Sequence, residues 1–158
     1  MHFWIVVLGV LFSYQGVFAY PLIPNPKVTQ GELCSKDNPD FEALRYLEKI
    51  PYCKRNVSFE KRQEIYDKYR ISETCRPRYT IDHFIPLAIG GDNSDSNLWP
   101  EHVLVKELRP NLELEIYYAL KEGRMTQDEA IDTIIHEKMN AQNRLFNALA
   151  QDECDRPS

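Results

Sequence analysis

Between Tyr79 and His102 the chain gathers side chains whose types could do hydrolytic chemistry. Asp82 and His83 are adjacent, Pro86 follows three residues on, Gly90-Gly91 comes next, and Asn97 lies fourteen residues beyond His83. His102, Lys106 and Glu107 follow closely. An imidazole titrates near neutrality and can take up a proton there. A carboxylate is a hard oxygen donor suited to a hard divalent cation. A primary amide can fix a neighbouring group through a hydrogen bond.

These residues need elements to hold them. Tyr79 to Ile85 is β-prone and stops at Pro86, the Gly90-Gly91 pair and the polar run after it read as a loop, and Asn97-Leu98-Trp99 resumes an extended apolar stretch before Pro100 opens a helix. The expected order is strand, loop, strand, helix. On a regular strand Asp82 and His83 face opposite sides, so a local distortion is expected to bring both to one site.

Upstream, Phe41, Leu44, Leu47 and Ile50 recur every three positions, and the spacing predicts a short amphipathic helix over residues 40–50, ended by Pro51. Phe59, Ile65, Tyr66 and Tyr69 predict a second helix over 58–70 with Ser58 as its cap. Downstream, Leu108, Leu112, Ile116 and Ala119 predict a helix over 101–122, started or kinked at Pro110 and stopped at Gly123. Thr126 to Glu129 is a capping box before a further helix, and Leu145, Phe146 and Leu149 suggest one more. The proline-rich stretch 20–36 reads as an irregular lead-in without chemistry, and His136 as a surface or packing histidine.

With 43% hydrophobic and 27% charged residues, the 158-residue chain is bounded to one globular domain; disordered, collagenous and multi-span membrane classes are excluded. A net charge of -5 gives no long-range pull on nucleic acid or an anionic membrane, so any polyanion binding is local. Lys54 to Arg78 holds eight cations against four carboxylates. By charge alone this segment is a solvated helix face laced with pairs such as Glu64 to Lys68.

Met1 to Ala19 lacks Lys, Arg, Asp and Glu, is apolar from Phe3 to Phe12 and ends in Val17-Phe18-Ala19, which reads as a cleaved secretion signal. A secreted or periplasmic protein is expected. Cys34, Cys53, Cys75 and Cys154 then imply two disulfides; three pairings are open, and any bridge to the remote Cys154 tethers the tail. Asn56-Val57-Ser58 is either a glycosylation acceptor or simply the approach to the serine cap.

The Asp-His pair, the following Pro, the Gly-Gly and the Asn fourteen residues after the His resemble the ββα-metal core of the HNH (His-Asn-His) endonucleases. Tyr52-Cys53-Lys54-Arg55-Asn56-Val57-Ser58 and Asn97-Leu98-Trp99-Pro100-Glu101 resemble a secreted bacterial branch of that family, and the likeness covers roughly Tyr52 to Glu137. The resemblance implies an α+β fold in which a small ββα-metal core is embedded in a mainly helical, disulfide-bonded single domain. After the signal at 1–19, residues 20–51 are then lead-in and short helix, and 52–158 the nuclease domain with its C-terminal helices.

By the same resemblance His83 is the general base, Asn97 orients it, and Asp82 holds one divalent ion, Mg2+ first with Mn2+ or Zn2+ as alternatives. The position that completes the family's metal site is Lys106 here, a cation that does not ligate while protonated. His102 is preferred as the replacement, and Glu107 is the alternative. Arg55, Arg76, Arg78 and Lys106 become phosphate contacts. The implied activity is metal-dependent hydrolysis of phosphodiester bonds in DNA with little sequence specificity, by a monomer without a membrane anchor, with RNA left open as substrate. A non-catalytic, metal-stabilised exported binding module, or an adhesion or inhibitor domain with a coincidental motif, are the competing classes.

Overall fold

The structure, a computed structural model, describes residues 21–140 and Cys154. The expected signal at 1–19 and the expected helix around 145–149 lie outside the described residues. The described residues form an α+β fold, with two small antiparallel sheets, four α-helices and two disulfides among them. Strands Phe41–Arg45 (β1) and Ile50–Cys53 (β2) precede helix Phe59–Lys68 (α1). Strands Tyr79–His83 (β3) and Leu98–His102 (β4) follow, then helices Val103–Glu107 (α2), Leu112–Lys121 (α3) and Gln127–Met139 (α4).

The helix predicted over 40–50 is a β-hairpin instead, β1 pairing antiparallel with β2. A spacing of three serves a helix face and a reversing chain equally, and here the reversal prevails. Tyr46 and Lys49 take positive φ (64° and 57°), turning the chain between the strands, and Leu47 is left 81% exposed rather than packed. The Cys34–Cys53 bridge pins the end of β2, and the Arg45 guanidinium lies 3.1 Å from the Tyr52 ring centroid across the pair. In a two-stranded sheet each strand has a free edge, so Pro51 in β2 breaks no obligatory ladder bond.

Helix α1 forms where the sequence predicts it. The Ser58 hydroxyl accepts a hydrogen bond from the Lys61 N–H at 3.1 Å, satisfying one of the free donors of the first turn. Lys61 and Lys68 both pair with Asp95 rather than with carboxylates of their own helix, which ties α1 to the loop before β4. Helix α4 carries the capping box, with the Thr126 hydroxyl and the Glu129 carboxylate each serving the other's backbone N–H. Gly123, at φ 68°, ends the turn after α3.

Sheet β3–β4 organises the rest. Its register is unbroken, with Tyr79 opposite His102, Thr80 opposite Glu101, Ile81 opposite Pro100, Asp82 opposite Trp99 and His83 opposite Leu98. Opposed residues share a face and neighbours alternate. One face therefore carries Tyr79, Ile81, His83, Leu98, Pro100 and His102, and the other Thr80, Asp82, Trp99 and Glu101. Ile65 and Tyr66 of α1 cover the first face together with Ile71 and the Cys75–Cys154 bridge. Trp99 on the second face packs with Phe84 and Val105 of α2, and Ile135 and Met139 of α4 border them. A third cluster joins Ile50, Ile85 and Ile89 to Ile116, Leu120, Ala130 and Ile134, fastening the hairpin and the loop to α3 and α4.

Pro100 does not open a helix. It lies inside β4, where the edge strand tolerates a residue without an N–H, and α2 begins only at Val103. The helix predicted over 101–122 is accordingly two helices separated around Pro110.

Candidate functional site

His83 ends β3 on the face covered by α1 and is 3% exposed. Its Nε2 lies 3.1 Å from Asn93 Oδ1. The orientation of the Asn93 amide is evident from two of its partners whose roles admit no exchange: Nδ2 donates to the Lys54 carbonyl at 2.9 Å, and the Asn56 N–H donates to Oδ1 at 3.2 Å. An oxygen therefore faces the imidazole, so Nε2 carries the proton and the neutral ring leaves its lone pair on Nδ1. Nδ1 has no hydrogen-bond partner among the described residues. Burial pushes the imidazole below its ordinary value, the Asn93 bond works the other way, and the Arg55 guanidinium adds to the depression. Arg55 is itself exposed and donates to the Ile81 carbonyl at 3.2 Å, which sets its charge beside the ring.

Asp82 occupies the opposite face, because β3 runs without distortion, and its side chain enters a different cluster. Its Oδ2 is 3.2 Å from Lys106 Nζ and 3.9 Å from Lys138 Nζ. Lys138, on α4, is fully buried; it donates to the His83 carbonyl at 2.6 Å and lies 3.5 Å from Glu113. Glu101, 1% exposed, pairs with Arg109 and shares a hydrogen bond with Asp82. Burial alone would raise the Asp82 carboxyl, but Lys138, the Glu101 hydrogen bond and Lys106 outweigh it and hold the group well below the carboxylate range. Glu101 goes the other way: burial and the neighbouring Asp82 push it up to about 8. Two carboxyls in contact separate in this manner because both cannot ionise cheaply. A cleft of about 130 Å3 opens beside the cluster between Glu101, Lys106, Arg109, Leu112 and Glu113.

The structure joins some of the expected site residues and separates others. His83 and Arg55 come together, as do Asp82 and Lys106. Asn97 does not touch His83; its Oδ1 accepts from the Ile85 N–H at 2.8 Å and its Nδ2 donates to the carbonyls of Ile85 and Asp92, closing the loop between the strands. Gly91 makes this closure possible, since a Cβ there would fall 1.9 Å from the Ile85 carbonyl oxygen and 2.8 Å from Asn97 Nδ2. His102 sits on the face opposite Asp82 as the last residue of β4; its Nδ1 accepts from the Leu104 N–H at the start of α2, and its ring meets Tyr79 edge-on. Burial, with Arg78 nearby, lowers its titration. Glu107 is exposed on α2. Arg76 is spent on structure, bonding Asp67, Gln63 and the Ile71 carbonyl.

Of the side chains expected to hold the divalent ion, Asp82 with His102 or alternatively Glu107, the preferred pair does not meet: Asp82 and His102 lie on opposite faces, and Asp82 is already flanked by two ammonium groups. Among the described residues no three His, Cys, Asp or Glu side chains form a group that could hold a metal ion.

Asn93, Glu101 and Lys138 were missed from the sequence. Asn93 follows Gly90-Gly91 inside a polar run where any member could be a turn residue, and Lys138 is remote in sequence with nothing local to mark its burial. Comparison with protein-family models, curated proteins and solved structures finds no match for the chain.

Proposed function

We propose that the protein is an exported endonuclease that hydrolyses phosphodiester bonds of DNA with little sequence specificity. The observation that carries the reading is the fixed tautomer of His83: an amide oxygen at Nε2 leaves Nδ1 as the proton acceptor, and burial keeps the ring neutral at neutral pH. Nδ1 takes a proton from the attacking water as the water oxygen bonds to phosphorus; the bond from phosphorus to one bridging ester oxygen breaks, and that oxygen leaves as the alcohol, protonated from solvent. Arg55, exposed beside the ring, contacts the phosphate and favours the charge that develops on its oxygens. Asn97 and Gly91 act indirectly, by holding the loop that delivers Asn93. Two disulfides, with no helix among the described residues long and apolar enough to cross a membrane, are compatible with an extracellular protein and support the export part of the reading.

The divalent ion belongs to the proposal through the resemblance, with no step assigned to it. The test is conversion of supercoiled plasmid by the purified oxidised protein, with and without a chelator, alongside His83→Ala. Cleavage by the native protein and none by His83→Ala is expected; loss with chelator assigns the ion a part, and cleavage without it removes the ion. Full activity in His83→Ala, or no cleavage of any nucleic acid by the native protein, rejects the reading in favour of a binding module.

A further inference from the structure

The hairpin belongs to no part of the strand, loop, strand segment that carries the chemistry, yet it reaches His83. Asp40 stands at the foot of β1, in the segment closed by Cys34–Cys53. Its Oδ2 accepts from Asn93 Nδ2 at 2.8 Å, and its Oδ1 accepts from Asn56 Nδ2 at 2.8 Å. Its own backbone is held at both ends: the N–H donates to Asn38 Oδ1 at 2.9 Å, and the carbonyl accepts from the Lys54 N–H at 3.0 Å. A continuous path runs from this carboxylate through the Asn93 amide to Nε2 of His83.

We propose that Asp40 is a positioning residue for His83, acting through Asn93. The inference rests on the reading of His83 as the base and adds to it a residue from outside the motif. Asp40 keeps the Asn93 amide turned with its oxygen toward the ring, and its partner Asn56 places the N–H that holds the same oxygen. When Nδ1 accepts a proton the ring becomes a cation, and the Nε2–H bond strengthens against an amide oxygen that the carboxylate behind it has polarised. Asp40 itself touches neither substrate nor the reacting atoms.

The test pairs steady-state cleavage of plasmid DNA with 15N NMR of the His83 ring. Native protein should show Nε2 protonated and Nδ1 bare; the reverse tautomer overturns the proposal whatever the variants do. Asp40→Ala should lower kcat about tenfold, the worth of one charge-assisted hydrogen bond, with KM within about twofold and a mixed tautomer population. Asp40→Asn, which still offers Asn93 an acceptor, should recover most of kcat and the native tautomer. An Asp40→Ala protein that melts at a lower temperature but keeps native kcat and tautomer shows a structural residue only and overturns the proposal. The tautomer measurement stands even if the native protein cleaves nothing, so failure of the nuclease reading and failure of the Asp40 role are told apart.

Discussion

Replacing Lys138 by methionine should cost the fold heavily, and the cost should depend on pH. The ammonium is fully buried, 2.6 Å from the His83 carbonyl, 3.9 Å from Asp82 Oδ2 and 3.5 Å from Glu113 Oε1. Methionine fills nearly the same volume, so little of the loss comes from a cavity. What remains is a buried carboxylate stripped of its buried counter-charge and a buried carbonyl stripped of its donor. Removing one partner of a buried ion pair costs about 3–5 kcal/mol, which corresponds to a fall of roughly 10 °C in Tm for a chain of this size.

The pH dependence follows from Asp82, whose folded-state titration is depressed. A depressed acid contributes stability that is present above its unfolded value and lost as pH falls through its folded value. The gap between native and Lys138→Met proteins should therefore be widest at neutral pH and shrink as pH falls from the unfolded carboxylate value of about 4 toward the depressed folded one. Urea unfolding at pH 7 and at about pH 3, with the m-values compared, reads both numbers. Asp82→Asn in the Lys138→Met background should recover part of the loss, because the buried charge left with only the half-exposed Lys106 as partner is then gone. Equal stability of Lys138→Met and native protein at pH 7, or a gap that does not shrink with acid, would refute the assignment of Lys138 as the buried counter-charge of Asp82.

The remaining expectations concern the catalytic face and the bridges. Under the proposed reading His83→Ala should cut cleavage by about 10²–10⁴, the usual contribution of a general base, and in the native protein kcat/KM should rise with pH along a limb centred below the ordinary histidine value of 6.5, then stay level through neutrality; a limb centred above it contradicts the depressed imidazole. Arg55→Gln should weaken DNA binding and reduce the slope of log affinity against log salt by about one, whereas Arg76→Gln, already engaged by Asp67 and Gln63, should leave the slope alone and lower the melting temperature instead. Chain-entropy arguments give about 3 kcal/mol for the Cys34–Cys53 bridge and about 4.5 kcal/mol for Cys75–Cys154, with its separation of 79, so serine pairs at 75 and 154 should unfold at the lower urea midpoint.

The parts of the fold legible in the sequence are those set by local chemistry. Ser58, Thr126 and Gly123 announce their helix ends because capping is decided within a turn, and Gly90-Gly91 announces a loop because only glycine admits the Ile85 carbonyl so closely. The hairpin at 41–53 was read as a helix because its reversal depends on positive φ at Tyr46 and Lys49 and on a bridge to Cys34, none of which period reveals. The site divides in the same way. Asp82 and His83 were found by type and spacing, but which amide meets the ring is settled by tertiary packing: Asn97 turns inward to the loop backbone, and Asn93, lodged against Lys54 and Asn56, takes the place expected for it. The alternation of β3 and β4 also placed His102 behind the sheet from Asp82, a consequence that Pro100 concealed by suggesting a helix start.

The Cys34–Cys53 bridge closes the segment that holds Asn93 against the imidazole. In a reducing cytosol that bridge stays open, and the hairpin has only a two-stranded pairing to keep its shape, which is marginal in water. His83 then loses part of the frame that holds the amide selecting its tautomer. Under the proposed reading, a chain whose Cys34 and Cys53 are still thiols hydrolyses nucleic acid poorly, and closing the bridge brings the activity.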